Sequence, residues 1–205
     1  MGNLNTDAPA EAKPDVNSPA EVRKTVWRFG LGAAFATSSY QIIQGGVMVM
    51  YLNRLGFDEK LIGLVALLCQ LPAVLQLWAA RHVDRRGCRR FMLSAFLLGP
   101  PGIIAVALAP QIESALGWNA MAIAIVSGLM CYCLAQAMAA TSWMPMLRHN
   151  VPISRSTQLI GRMNQISMAG GVMVTGTALL FLKGHNPPLI VYSEIIALGA
   201  ALFAL

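Results

Sequence analysis

The chain has 205 residues, 56% of them hydrophobic and only 12% charged, and its mean hydropathy is +0.58. Soluble domains carry about 25% charged residues, and a water-surrounded fold of this size cannot hide so much apolar surface. That excludes a cytosolic enzyme, a nucleic-acid-binding module and a disordered chain, and it turns the net charge of +6 into a question of which membrane side holds the cations.

Residues 1–24 are polar, broken by Pro9, Pro14 and Pro19, and carry both charge signs. They cannot bury enough apolar surface to order themselves and are read as a flexible cytoplasmic tail. The opening MGNLNT has Gly2 and Thr6 where N-myristoylation requires them, a pattern short enough to arise by chance. Residues 25–205 are expected to form one all-α transmembrane bundle. Six apolar runs are measured against the ~20 residues a helix needs to cross a bilayer: 29–51, 61–80, 91–109, 119–144, 163–182 and 189–205. None shows the period-two alternation of a β-barrel. Short polar connections, expected to be about ten residues each, would make consecutive helices antiparallel neighbours.

Orientation follows from the cations. Lys13, Arg23, Lys24, Arg28, Arg81, Arg85, Arg86, Arg89, Arg90, Arg148, Arg155 and Arg162 fall on one side, and Arg54, Lys60 and Lys183 on the other. The bias places both termini in the cytoplasm, with the bacterial inner membrane as the expected location. The sixth run is short for a ~30 Å hydrocarbon core at 1.5 Å rise per residue and lacks a polar cap, so a longer chain is expected.

Between the second and third runs stands Ala80-Arg81-His82-Val83-Asp84-Arg85-Arg86-Gly87-Cys88-Arg89-Arg90. Gly87 allows a tight turn between antiparallel helices, and the arginines hold the segment at an anionic membrane face. The segment resembles the cytoplasmic loop signature of the major facilitator superfamily, Gly-x-x-x-Asp-Arg-x-Gly-x-Arg-Arg, with Ala80 in place of the first Gly. Tyr51 to Phe57 with Ile62-Gly63-Leu64, and Trp143 to Pro152 with Arg155, resemble the family's first external loop and fourth-span exit. The resemblance covers the N-terminal six-helix half of a twelve-helix fold. It implies a secondary transporter working by alternating access on a small-molecule substrate. Asp84, Arg85, Gly87, Arg89 and Arg90 would form its gating loop, opposite a second six-helix half or a dimer mate. Arg148 is the expected partner of Asp84 within this chain. The family's proton-antiport signatures are degraded: Cys133 and Ala137 flank Gln136 where Arg and Gly belong, and Val174-Thr175 replaces a Gly-Pro pair. A drug/proton antiporter is therefore disfavoured.

The resemblance further implies a cavity lined by runs one, two, four and five, with three and six outside it. Polarity follows that division. Thr37, Gln41, Gln44 and Met48 step by four, three and four along run one and share a helical face. Gln70 lies near the centre of run two, Tyr132 and Gln136 in run four, and Asn164, Gln165, Thr175 and Thr177 in run five. Thr37, Gln41, Gln44, Gln70, Tyr132 and Gln136 are the expected substrate-cavity residues, since uncharged amides and hydroxyls suit a polar, neutral or zwitterionic solute. The competing reading is that such residues tie helices together. Glu194 reads as an interfacial carboxylate. Ala120, Ala124 and Gly128 read as a close-packing stripe. The four cysteines, Cys69, Cys88, Cys131 and Cys133, read as small apolar fillers. Met144, Met146 and His149 cluster after run four, but methionine more often fills gaps, so neither metal nor cofactor is expected and no enzymatic site is read. The alternative function is a six-helix scaffold or assembly subunit that retains the fold without the cargo site.

Overall fold

A computed structural model of the chain describes residues 19–150, 153–182 and 187–204. The N-terminal tail up to Ser18, with the myristoylation pattern, lies outside them, while residues 19–24, expected as part of that tail, are helical as the start of α1. The side chains of Asp84, Arg85, Arg86, Met144, Arg148 and His149 also lie outside them, so the expected Asp84–Arg148 pair and the Met144–His149 cluster fall outside the described residues. All regular structure among the described residues is helical: α1 Pro19–Gln44, α2 Gly46–Arg54, α3 Glu59–Arg86, α4 Cys88–Ala107, α5 Ala109–Leu116, α6 Trp118–Asn150, α7 Ile153–Leu182 and α8 Leu189–Ala204. Cys88–Ala107, Trp118–Trp143 and Ile160–Leu182 are each long and apolar enough to cross a bilayer, and Leu189–Ala204 is a shorter apolar helix. These lengths fit an integral membrane protein.

The helices depart from the hydropathy runs in instructive ways. Run one is split at Gly45, so α1 ends at Gln44 and α2 starts at Gly46. Run three is split at Leu108, which lies between α4 and α5. The basic segment 80–90 is helical on both sides of Gly87 rather than a ten-residue loop, because arginine is a good helix former and a helix does not stop where hydropathy falls. Gly87 has φ 86°, and its amide donates to the Val83 carbonyl at 2.9 Å. Gly56 at φ 83° and Gly117 at φ 84° make the turns before α3 and α6. Phe57 and Trp118, just past those turns, stack at 5.7 Å, so the two turns lie at one end of the bundle. Asp58 caps α3 by accepting from the Leu61 amide at 2.8 Å.

The expectation that consecutive helices are packing neighbours holds for runs three and four, which meet through α4 and α6, whereas the other consecutive long helices touch little. α1 packs on α7 and α8, α6 packs on α3 and α4, and α4 packs on α8. Exchanging the first three long helices for the last three (α1 for α6, α3 for α7, α4 for α8) turns this set of neighbours into itself. The physical reason is close approach at glycines. A Cβ on Gly128 would lie 2.4 Å from the Gly102 carbonyl oxygen, so α4 and α6 cross backbone to backbone. Gly170 and Gly171 meet Ala34, Thr37 and Gln41 of α1, while Gly199 meets Ile42 and Ile43. Without a hydrophobic drive between helices in lipid, such contacts decide which helices pair. Of the expected small-residue stripe, Gly128 sits at a crossing.

The interior holds Tyr51, Tyr132, Tyr192, Phe203, Ile42 and Ile103 together with the buried hydroxyls of Ser39 and Ser142. The perimeter is apolar: Leu97 is 77% exposed, Val172 72% and Leu180 71%. Hydroxyls inside and aliphatic side chains outside is the arrangement an apolar solvent imposes.

Candidate functional site: two cavities between the helices

The larger cavity, about 290 Å³, lies among α1, α4, α6, α7 and α8. Its polar wall consists of Thr37, Gln136, Asn164 and Ser167, and among the described residues no ionisable side chain lines it. α1 and α7 can approach here because Gly170 and Gly171 carry no side chain against Ala34 and Thr37. Ser167 lies three and four residues before them and so faces α1. Its Oγ donates to the Ala33 carbonyl at 3.2 Å. A hydroxyl has one proton to give, so in its contact with Thr37 Oγ1 it is Thr37 that donates. Trp143 closes the side near the start of α1, backed edge-on by Phe29 at 5.3 Å. Met92 and Phe96 from α4, with Leu202 and Phe203 from α8, make the apolar wall. Runs three and six therefore contribute to this cavity, contrary to expectation, though only with apolar groups.

The smaller cavity, about 90 Å³, lies where α1 breaks into α2 against α3 and α6. Gln44, Gly45, Met48, Cys69 and Gln70 line it. Gly45 is in extended conformation at the N-cap of α2. Its amide-side neighbour Gln44 swings its Nε2 to donate to Cys133 Sγ at 3.2 Å.

The six expected cavity residues thus fall in separate places. Thr37 and Gln136 meet in the larger cavity, and Gln44 and Gln70 in the smaller. Gln41 packs with Thr37 around Gly171 at the α1–α7 crossing. Tyr132 is fully buried, its hydroxyl 3.4 Å from Ser39 Oγ, with its ring edge-on to Phe203 at 5.3 Å. Of the expected gating loop, Gly87 forms the α3–α4 junction, and Arg89 and Arg90 are exposed in the first turn of α4. Asp84 and Arg85 lie in the last turn of α3. Glu194 is exposed on a groove between α7 and α8.

Two contributions were not foreseen: Ser167 and Trp143. The pairing of Ser167 with Gly170 and Gly171 on one helical face is a signal that could have found the first. Among the described residues no three His, Cys, Asp or Glu side chains come together. No protein-family model, curated protein or solved structure matches the chain.

Proposed function

We propose that this chain is the N-terminal six-helix half of a major-facilitator-type carrier, moving a small neutral or zwitterionic polar solute by alternating access. The observation that carries the reading is the larger cavity: uncharged hydrogen-bonding groups from α1, α6 and α7 converge on one space inside an otherwise apolar bundle. At about 290 Å³ it sits at the small end of ligand pockets, which run from about 300 Å³ upward. Among the described residues a charged solute would meet no counter-charge there. The neighbour exchange described above supports the same reading, because halves of such carriers are built from two three-helix repeats with the site between them. α1, α3, α4, α6, α7 and α8 are then the six spans, and the Ala80–Arg90 segment lies on the cytoplasmic face with its arginines toward anionic lipid.

Alternating access would need a second six-helix unit to rock against this one. The second reading, a scaffold subunit, draws on the Thr37–Ser167–Ala33 chain, which already satisfies hydroxyls between helices as interhelical glue does.

Cysteine accessibility in intact membranes separates the two. Single cysteines at Ser167 and Gln136, in a chain otherwise lacking cysteine, are expected to react with a small hydrophilic thiol reagent faster than cysteines at Val172 and Leu97. Equal inertness at all four positions leaves the scaffold.

A further inference from the structure

α4 and α6 cross backbone to backbone at Gly102 and Gly128, and toward the start of α4 they leave an open groove of about 700 Å³ between them. One wall is a single stripe of α4: Arg89, Met92, Leu93 and Phe96 follow one another at i, i+3, i+4 and i+7. Pro145 and Met146 of α6 form the other wall. Arg89 is exposed at the head of Cys88–Ala107, a helix long and apolar enough to cross a bilayer. Its guanidinium therefore stands at the membrane surface, and the apolar part of the stripe runs from there into the hydrocarbon. At 1.5 Å rise per residue the stripe is about 10 Å long. Leu93 lines the groove and is still 54% exposed, so the groove opens sideways to the surroundings of the bundle. Among the described residues no carboxylate lines it.

We propose that this groove is a binding site for one anionic phospholipid, with its phosphate on Arg89 and an acyl chain laid along Met92, Leu93 and Phe96. Charge complementarity selects the headgroup. A guanidinium grips a phosphate bidentately, and with no carboxylate beside it in the groove its charge is left for the ligand. A zwitterionic headgroup would bring its own cation toward Arg89 and toward Arg90, which is also exposed. The apolar walls select a lipid over a soluble phosphate, which would use the guanidinium and leave the rest of the stripe without a partner. The cation and the apolar stripe are also in register, so a headgroup held by Arg89 sits at the depth where its own chain enters the groove. Basic pockets between membrane helices hold anionic headgroups in this way. A lipid seated there braces α4 against α6 about 20 Å from the glycine crossing. The site depends on the membrane setting and not on whether the chain carries a solute.

The test uses the full chain in phosphatidylcholine vesicles, with Trp27→Phe, Trp78→Phe and Trp118→Phe so that Trp143 reports alone. Trp143 shares the wall of the larger cavity with Met92 and Phe96, two of the groove's own side chains. Phosphatidylglycerol with brominated acyl chains is expected to quench Trp143 with about fivefold preference over brominated phosphatidylcholine, the discrimination that one arginine gives at a membrane surface. Arg89→Gln is expected to remove that preference. Arg81→Gln, at an exposed position on α3 outside the groove, controls for general surface charge and should keep it. Leu93→Ser should weaken the quenching, whereas Leu97→Ser, on the same helix and 77% exposed but outside the groove, should leave it unchanged. Native mass spectrometry of the unsubstituted chain should show one phosphatidylglycerol retained per chain, so the test stands even where a tryptophan variant fails to fold. Equal quenching by both lipids, or equal loss in Arg81→Gln and Arg89→Gln, overturns the proposal. So does displacement of the lipid by an equal concentration of glycerol phosphate or of an acidic peptide, which would assign the groove to a soluble anion or to a polypeptide.

Discussion

Replacing Gly128 with alanine tests the α4–α6 crossing on which the bundle turns. The added Cβ would stand 2.4 Å from the Gly102 carbonyl oxygen and 3.0 Å from Val106 Cγ2, where ordinary contact begins at 3.4 Å. The obstacle is backbone, which has no rotamer to yield, so the helices must separate by about 1 Å at that level. A gap of about 0.5–1 Å forfeits a quarter to a half of each dispersion well along the seam. Overpacking of this kind costs about 1–3 kcal/mol, partly offset by the roughly 0.8–1 kcal/mol that alanine gains over glycine in a helix. A net loss of about 1 kcal/mol is expected, read as a lower midpoint of denaturant unfolding in detergent. Gly176, also helical but with nothing within 4 Å of its Cβ position, is the control. Gly176→Ala gains the same propensity and meets no neighbour, so its midpoint should hold or rise. The reciprocal contact sharpens the test, since a Cβ on Gly102 would lie 2.5 Å from the Gly128 carbonyl. Once one alanine has separated the helices, the second should cost less, a coupling in the range of about 0.5–3 kcal/mol seen for residues in contact. Gly128→Ala as stable as Gly176→Ala, or strictly additive losses in the double variant, would refute the backbone-to-backbone crossing.

Gly87→Ala places a side chain at φ 86°, ψ 134°, a region open to glycine, at a cost of about 1–3 kcal/mol. Thermal unfolding in detergent should show a clear drop, and an unchanged midpoint would mean that the α3–α4 junction has another geometry. Asp58→Ala removes the α3 cap and should cost about 1 kcal/mol, with Asp58→Asn restoring most of it; no difference between the two variants refutes the cap. Tyr51 is buried and donates to the Val106 carbonyl at 3.0 Å. Tyr51→Phe should lose on the order of 1 kcal/mol, whereas a neutral result would show that the carbonyl finds another donor. In cells, a cysteine at Gly56 should label from outside and one at Arg86 only after permeabilisation; external labelling at Arg86 would end the six-span, N-in topology.

The sequence by itself determined the solvent and the local periodicity. Too few charges and too much apolar length leave only a membrane class, and runs 91–109, 119–144 and 163–182 each coincide with a helix fit to cross. It also determined the turn chemistry at Gly87, since glycine takes without strain the positive φ that the junction between two helices needs. Hydropathy is a sum along the chain, however, and is blind to where the backbone breaks within an apolar stretch or continues past its end. The break at Gly45 and the extension of α3 to Arg86 were therefore illegible. Helical spacing placed Thr37, Gln41 and Gln44 on one stripe, but a stripe has no address. Tertiary structure sent Thr37 to the larger cavity, Gln41 to Gly171 and Gln44 to Cys133. It also set Cys69 on the wall of the smaller cavity and Cys133 under the Gln44 amide, two thiols that on separate helices read only as apolar fillers. Which side chains meet is decided by the rotation and axial offset of each helix against its neighbour. Those are fixed by a few close approaches, such as Gly102 on Gly128, whose partners lie far apart in the chain and become visible only when the helices are docked.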